Sequence, residues 1–373
     1  MGPLQGVRVL ELAGLGAAPF CCMLLSDLGA EVLRVDRQGS SPLDFTLRRG
    51  RRSVVVDLKH PEGADVVLRL VDRADVLVEG FRPGVAERLG VGPELCCTRN
   101  PGLVYGRITG WGQQGPLAQA AGHDINYIAV AGALESIGRR GQPPTAPLNL
   151  VGDYGGGGML LALGVVSALV ERGRSGLGQV VDAAMVDGAS LLMTLFHGLR
   201  SLGEWNPERG SNSLDTGAPY YDVYLTADDR YVAVGCLEAR FYEEMLERLG
   251  LEHEPLPAQT DTTRWSALRA RLAAVFRTRT QQQWCALLEG TDACVSPVLT
   301  PAEAPEHPHH RARQSFVSVD GVVQPAPAPR FSRTPGAVQH GFHEPGADTD
   351  DALVDWGLHP DEVIVLRRAG AIH

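Results

Sequence analysis

The first two hundred residues alternate between segments patterned like β-strands and segments patterned like α-helices. Short apolar runs typical of buried strands are separated by longer stretches such as Pro61–Asp72, in which apolar residues recur at helical spacing. The predicted strands are Val7–Leu12, Glu31–Val35, Ser53–Leu58, Val76–Glu79, Leu103–Ile108 and Gln179–Asp182. This alternation is typical of βαβ units, so we predict an α/β fold with a doubly wound, Rossmann-like parallel sheet.

The pattern changes in the second half of the chain. Two alternating strands, Tyr221–Thr226 and Arg230–Cys236, flank a short turn and predict a hairpin, and helical segments follow them. We therefore predict a smaller α+β domain over residues 220–300. The large domain covers residues 1–202 and is completed by residues 336–373, with a linker at 203–219 and a proline-rich connector at 301–335.

Charge and composition exclude several classes of protein. The formal net charge is −10, which argues against a nucleic-acid partner. The longest apolar run, Met159–Val170, falls short of membrane-spanning length, and the chain begins without an apolar leader, so we expect neither a membrane partner nor secretion. None of the seven cysteines forms a C-x-x-C pair, and prolines interrupt the histidine-rich stretch Glu306–His310, which we interpret as a polar loop. We predict no metal site.

Two short loops flanked by glycine carry side chains suited to proton transfer. Gly122-His123-Asp124 presents an imidazole, and Val151-Gly152-Asp153-Tyr154 presents a carboxylate thirty residues later. These groups exchange protons near neutral pH once the environment adjusts their pKa values. Taken singly, His123 is also compatible with a structural histidine and Asp153 with a helix N-cap.

Two glycine-rich stretches allow for bound anions. Gly155–Gly158 precedes a predicted helix starting at Met159, so its N–H groups are candidates for stabilising an enolate oxygen; close helix packing is the alternative. Gly14–Pro19 with Asp36 is similar to a dinucleotide-binding fingerprint, which makes a nicotinamide-dependent dehydrogenase an alternative. A basic stretch begins at Arg37 and favours a ligand with several phosphates, such as coenzyme A; a solvated basic face is the alternative.

The chain resembles the family III CoA-transferase (CaiB/BaiF) superfamily over nearly its whole length, and within it the branch of racemases that act on 2-methylacyl-CoA thioesters. The motifs that carry this resemblance are Gly6-Val-Arg-Val-Leu-Glu-Leu12, Asp27-Leu-Gly-Ala-Glu-Val-Leu-Arg-Val-Asp-Arg37, Gly122-His-Asp-Ile-Asn-Tyr127 and Val151-Gly-Asp153. The resemblance implies an interlocked homodimer, with each active site built from the large domain of one subunit and the small domain of the other.

The resemblance also implies roles for particular residues. His123 and Asp153 match the two acid/base residues, and Glu238 matches a small-domain glutamate that orients the histidine. The positions that match CoA-contacting elements are Arg37, Val55, Val56, Asp57, Leu58, Gln119, Ala120, Ala121, Gly122, His123 and Asp124.

The implied reaction is epimerisation at the α-carbon through an enolate, as part of lipid, fatty-acid or bile-acid metabolism. It requires no cofactor, because coenzyme A is part of the substrate. The alternative within the superfamily is a CoA-transferase in which Asp153 attacks the thioester as a nucleophile. The chain ends Gly370-Ala-Ile-His373 rather than in an S-K-L-type signal. We expect a cytoplasmic location if the protein is bacterial, and the peroxisome or mitochondrial matrix if it is eukaryotic.

Overall fold

The larger part of the protein is built around one parallel sheet. The computed structural model describes residues 2–39 and 45–373; Met1 and residues 40–44, which fall within the predicted large domain, lie outside the described residues. Six strands pair in parallel in the order β3-β2-β1-β4-β5-β6. They are β1 Arg8–Leu12, β2 Glu31–Asp36, β3 Arg51–Val55, β4 Val76–Glu79, β5 Val104–Thr109 and β6 Val180–Ala184. The predicted parallel α/β sheet is thus confirmed, with the strand order of a doubly wound fold.

Helices connect these strands, and further helices follow later in the chain. The described α-helices are α1 Ala17–Asp27, α2 Gly63–Val71, α3 Val85–Arg88, α4 Pro93–Arg99, α5 Asp124–Val130, α6 Ala133–Ser136, α7 Leu160–Ser175, α8 Met185–Leu192, α9 Thr194–Ser201, α10 Ala239–Leu249, α11 Trp265–Phe276, α12 Gln281–Leu288, α13 Pro308–Arg313, α14 Thr349–Asp355 and α15 Pro360–Ala369. A π-helical segment, Leu150–Met159, runs directly into α7.

Several strand ends differ by one or two residues from the prediction, and the end of β3 differs by three. The prediction placed a strand at Ser53–Leu58, but β3 ends at Val55, the last residue that pairs with β2. Val56 instead forms an isolated antiparallel bridge with Ile372. Residues 56–58 therefore follow the carboxyl end of the strand, where ligands of doubly wound folds bind.

Apolar residues fill both faces of the sheet. Consecutive residues of a strand point to opposite faces, so Val9 and Leu10 belong to different clusters of buried side chains. Val9 packs with residues of α1 and α7, whereas Leu10 packs with residues of α2, α14 and α15. Burial on both faces explains why apolar residues stand at consecutive positions in these strands, as in Val76-Leu77-Val78 of β4.

The chain divides into two compact units. The larger contains residues 1–131, 148–192 and 309–373, and the smaller contains residues 132–147 and 193–308. The smaller unit has an antiparallel sheet in the order β7-β8-β9, whose strands are Tyr221–Leu225, Tyr231–Gly235 and Val295–Pro297. Buried side chains of α10, α11 and α12 form one core with this sheet.

The predicted proline-rich connector contains regular structure. Phe316–Val319 (β10) and Val322–Pro325 (β11) pair as an antiparallel hairpin. The stretch around His309, interpreted from the sequence as a loop, forms α13, because a proline is tolerated in the first turn of a helix.

Together the π-helical segment and α7 form one helical stretch, Leu150–Ser175. By length and composition alone it could cross a membrane, a property that buried core helices share. Its α7 part packs against β5, β6 and α1.

Candidate active site

The strand order opens a crevice at the carboxyl ends of the central strands. The chain leaves β1 towards β2 on one side, while β4 pairs with β1 on the other, so the loops after these strands diverge. A cavity of about 790 Å³ lies here, lined by residues that follow β1, β2, β3 and β4. Its volume is within the range of pockets that bind small organic ligands and cofactors.

Four of the predicted CoA-binding residues line this cavity. Arg37 follows β2, and Val56, Asp57 and Leu58 follow β3. Val55 is the last residue of β3, is buried in the strand and is not among the residues that line the cavity. The structure thus places predicted CoA-binding residues from two adjacent strand ends in the wall of one cavity.

The second predicted CoA-binding segment, Gln119–Asp124, lies on a different loop. Gln119, Ala120 and Ala121 are exposed and do not line the 790 Å³ cavity. The side-chain amide of Gln119 donates a hydrogen bond to the carbonyl oxygen of Pro83 (3.2 Å), in the segment that follows β4. The loop is therefore tied to the same edge of the sheet.

Basic side chains outnumber acidic ones in the lining of this cavity, in a chain of net charge −10. Its described lining includes four permanent cations and two carboxylates. The cations are Arg34, Arg37, Arg48 and Lys59, and the carboxylates are Asp36 and Asp57. An excess of positive charge in a cleft favours ligands that carry several negative charges.

Asp36 is not placed as a dinucleotide-binding acid would be. Its side chain is buried, where it accepts hydrogen bonds from Arg34 Nε (3.1 Å) and Ser53 Oγ (2.8 Å). The carboxylate therefore balances a buried arginine rather than presenting itself to a ribose hydroxyl. This removes the main support for a nicotinamide-dependent dehydrogenase.

The glycine run does not form the start of a helix. The sequence predicted a helix from Met159, with Gly155–Gly158 offering free N–H groups before it. The structure contradicts this, because the helix begins at Leu150 and the run lies inside its π-helical segment. A Cβ added at Gly156 would lie 2.7 Å from the backbone nitrogen of Ala189. The glycines thus allow close packing against α8, and an enolate oxygen needs other donors.

Asp153 lies in the first turn of this helix. Its Oδ2 accepts a hydrogen bond from Nδ2 of Asn149 (3.1 Å), and its backbone N–H donates to Oδ1 of Asp124 (2.7 Å). The start of α1 is adjacent, since a Cβ added at Gly16 would lie 3.3 Å from Asp153 Oδ2. Gly16 has a φ of 70°, so both its conformation and this close approach favour glycine.

The pKa of Asp153 is raised from its ordinary value. Burial is the largest cause, and the negative charge of Asp124 adds to it. The hydrogen bond from Asn149 and the charge of His123 act in the opposite direction. A carboxyl group with a raised pKa both accepts and donates protons more readily near neutrality.

His123 immediately precedes α5, with an exposed side chain. Its backbone N–H donates to Oδ1 of Asn126 (3.0 Å), which fixes the turn before the helix. Its charge acts on the pKa of Asp153, so the two predicted acid/base groups lie within electrostatic range of each other. The structure thus brings both loops to one place.

An aromatic pair packs against the loop that contains Gly122 and His123. Tyr127 packs edge-to-face against Trp111, with ring centroids 4.9 Å apart, and its hydroxyl donates to the carbonyl oxygen of Gly122. A Cβ at Gly110 would lie 2.1 Å from the Tyr127 ring, and one at Gly122 would lie 2.7 Å from it. Both glycines are therefore needed for this packing.

Glu238 belongs to the smaller unit. It precedes α10 with an exposed side chain, and its carbonyl oxygen accepts hydrogen bonds from Phe241 and Tyr242.

Among residues 2–39 and 45–373, no three His, Cys, Asp or Glu side chains converge as metal ligands would.

Sequence reasoning missed two supports of Asp153. Asn149 is four residues ahead of it, a spacing that places two side chains on one helix face, but the helix had not been predicted to begin there. Asp124 was predicted to contact CoA, yet its carboxylate is buried against the backbone of Asp153. A Cβ at Gly152 would lie 2.6 Å from Asp124 Oδ1, so glycine permits this contact.

The chain belongs to the CoA-transferase family III, whose model it matches over residues 4–349. It is 48% identical over 367 residues to the α-methylacyl-CoA racemase of Mus musculus and 46% identical over 366 residues to that of Homo sapiens. Each comparison covers 97% of this chain and 96% of the relative. A CaiB/BaiF family protein from Brucella suis has a similar structure, with a TM-score of 0.84 and 25% identity over 95% of this chain and 99% of its own.

Proposed function

We propose that the chain is an α-methylacyl-CoA racemase, which interconverts the 2R and 2S forms of 2-methylacyl-CoA thioesters. The hydrogen bond that joins the His123-Asp124 loop to the backbone of Asp153, whose pKa is raised, is the observation that carries this proposal. Similarity to the mouse and human racemases over 97% of the chain supports the same reaction.

The proposed chemistry is a 1,1-proton transfer. A thioester carbonyl acidifies the α-proton, and its removal by one base leaves a planar enolate. A proton delivered to the opposite face by the second group inverts the centre. His123 serves one face and Asp153 the other, and they exchange roles when the handedness of the substrate changes. The thioester itself provides the activation, so the proposal includes no separate cofactor.

Coenzyme A is proposed to occupy the 790 Å³ cavity. Arg37 and Lys59 lie in its wall, and charge-assisted hydrogen bonds from such groups bind phosphate strongly. The loop Gln119–Asp124 would carry the CoA arm towards His123.

We also propose that the enzyme is an interlocked homodimer in which Glu238 orients His123 of the other subunit. Large apolar side chains of the larger unit are exposed on neighbouring helices, as expected of an oligomer interface. They include Leu150, Met159, Leu163, Val170 and Leu191.

The rival within the family is a CoA-transferase with Asp153 as the nucleophile. That reaction needs an acceptor acid but no second base facing the α-carbon. The histidine beside Asp153 therefore favours the racemase.

Deuterium incorporation tests the two-base proposal. A pure 2-methylacyl-CoA epimer is incubated in deuterated water, and α-exchange and epimer ratio are followed by mass spectrometry and chromatography. His123→Ala and Asp153→Ala should each lower epimerisation by at least about a hundredfold, because inversion needs both groups. Residual exchange with retention should favour opposite epimers in the two variants.

The transferase predicts a different result. Asp153→Ala would abolish transfer of CoA to an acceptor acid, and His123→Ala would have a small effect. Full racemisation by His123→Ala would refute the two-base mechanism.

A further inference from the structure

Residues 371–373 are joined to the strand that leads into the cavity. Ile372 forms an antiparallel bridge with Val56, and the carbonyl oxygen of Ala371 accepts a hydrogen bond from the backbone N–H of Asp57 (2.9 Å). Both Ala371 and Ile372 are fully buried. This short segment therefore extends the sheet edge at the point where β3 ends.

The backbone of His373 is held on both sides. Its N–H donates to the carbonyl oxygen of Val55 (3.1 Å), and its carbonyl oxygen accepts from Oγ1 of Thr349 (2.7 Å). His373 is an exposed residue and lines the 790 Å³ cavity together with Arg37 and Lys59. A histidine on a fixed backbone thus lies in the wall of a cavity rich in basic residues.

We infer that the His373 side chain binds a phosphate group of coenzyme A and so adds to recognition of the thioester substrate. This inference rests on the proposed function, which places CoA in the cavity. A ring N–H of imidazole donates a hydrogen bond in either neutral tautomer, and phosphate oxygens accept such bonds. The surrounding arginines and lysine favour phosphate over an uncharged part of the ligand.

The side chain can be replaced without disturbing its anchor, because the bonds to Val55 and Thr349 use backbone atoms of His373. Calorimetric titration of the full chain with CoA, and separately with 3′-dephospho-CoA, measures the effect. His373→Ala should weaken CoA binding about 5- to 10-fold, and His373→Arg should restore it. In steady-state kinetics of epimerisation, KM should rise while kcat stays unchanged, since His373 takes no part in the proposed proton transfer.

Three further variants serve as comparisons for the calorimetric titration. Arg37→Ala is the positive comparison and should also weaken CoA binding. His253→Ala removes an exposed histidine of the smaller unit and should leave binding unchanged. His373→Phe keeps a flat ring without hydrogen-bonding atoms, so it should bind CoA as weakly as His373→Ala.

Comparing CoA with 3′-dephospho-CoA identifies which phosphate group His373 contacts. If His373 contacts the 3′-phosphate, wild type and His373→Ala bind 3′-dephospho-CoA equally; if it contacts the pyrophosphate, both ligands weaken by the same factor. Unchanged CoA affinity in His373→Ala overturns the inference, and full binding by His373→Phe overturns it in favour of ring stacking. A wild-type protein that does not bind CoA at all would instead defeat the proposed function and this inference with it.

Discussion

The carboxyl group of Asp153 is subject to opposing influences from its neighbours. Burial and the charge of Asp124 raise its pKa, whereas Asn149 and His123 lower it. A group that both takes and returns a proton needs such a balance, because a fully ionised carboxylate is a poor acid and a fully protonated one is no base. Asn149 is therefore a positioning residue that also tunes the base.

Asn149→Ala should raise the pKa of Asp153 further. The amide hydrogen bond stabilises the charged form, so its loss favours the protonated form. Exchange that starts with proton removal by Asp153 depends on the ionised form. Its acid limb should therefore move to higher pH, and its rate on that limb should fall about threefold to tenfold. The pH profile of α-deuterium exchange, measured with the epimer that Asp153 deprotonates, checks this.

A second substitution of Asn149 provides the comparison for Asn149→Ala. Asn149→Asp replaces a donor with a second carboxylate and should move the acid limb in the same direction and further. An acid limb at the same pH in all three proteins would show that Asn149 does not act on this base.

At this scale the sequence points to His123 and Asp153 but not to the residues that support Asp153. His123 and Asp153 stand out because each follows a glycine in the sequence. The contact of Asp124 with the backbone of Asp153 depends on two distant segments meeting over Gly152, and no local pattern encodes that approach.

The π-helical segment is the element on which sequence reasoning failed. Glycine has low helix propensity, so Gly155–Gly158 predicted a loop before the helix. Tertiary packing overrides that preference, because the backbones of this segment and α8 lie in direct contact. A Cβ at Gly188 would lie only 1.8 Å from the carbonyl oxygen of Gly156. π-helical turns are frequent at functional sites, and this one carries Asp153.

A pair of matched substitutions separates packing from propensity. Gly156→Ala should lower the free energy of unfolding by about 2–4 kcal/mol, because its Cβ would meet the backbone of α8. Gly173→Ala, within α7, meets nothing within 4 Å and should raise that free energy by about 0.4–1 kcal/mol. Urea denaturation followed by circular dichroism measures both. Equal effects of the two substitutions would refute a packing role for Gly156.

The strands of the large sheet are predictable where burial on both faces places apolar residues at consecutive positions, as in Val76-Leu77-Val78. The hairpin β10–β11 was not, since its two four-residue strands lie in a proline-rich stretch and pair only with each other. The end of β3 was misplaced for a related reason. Val56 continues the apolar pair Val54-Val55, but its partner is Ile372, more than three hundred residues away.

On the scale of the whole molecule, the larger unit holds the cavity, His123 and Asp153, and the smaller unit holds Glu238. The acidic chain concentrates positive charge around the cavity, which directs polyanionic ligands to one sheet edge. In the proposed dimer, Glu238 of one subunit acts on His123 of the other. An experiment can distinguish this arrangement from one in which both residues belong to the same chain.

Complementation between two inactive variants makes that distinction. If Glu238 of one subunit serves His123 of the other, a heterodimer of His123→Ala and Glu238→Ala chains has one intact site and one doubly altered site. Random association after co-refolding makes half of the dimers mixed, so about a quarter of the wild-type activity should return. Glu238 acting within its own chain would leave every site damaged, and no activity would return. Mixing the folded variants without denaturation is the control, because an interlocked dimer cannot exchange subunits. A fully active monomer in sedimentation velocity would refute the shared site.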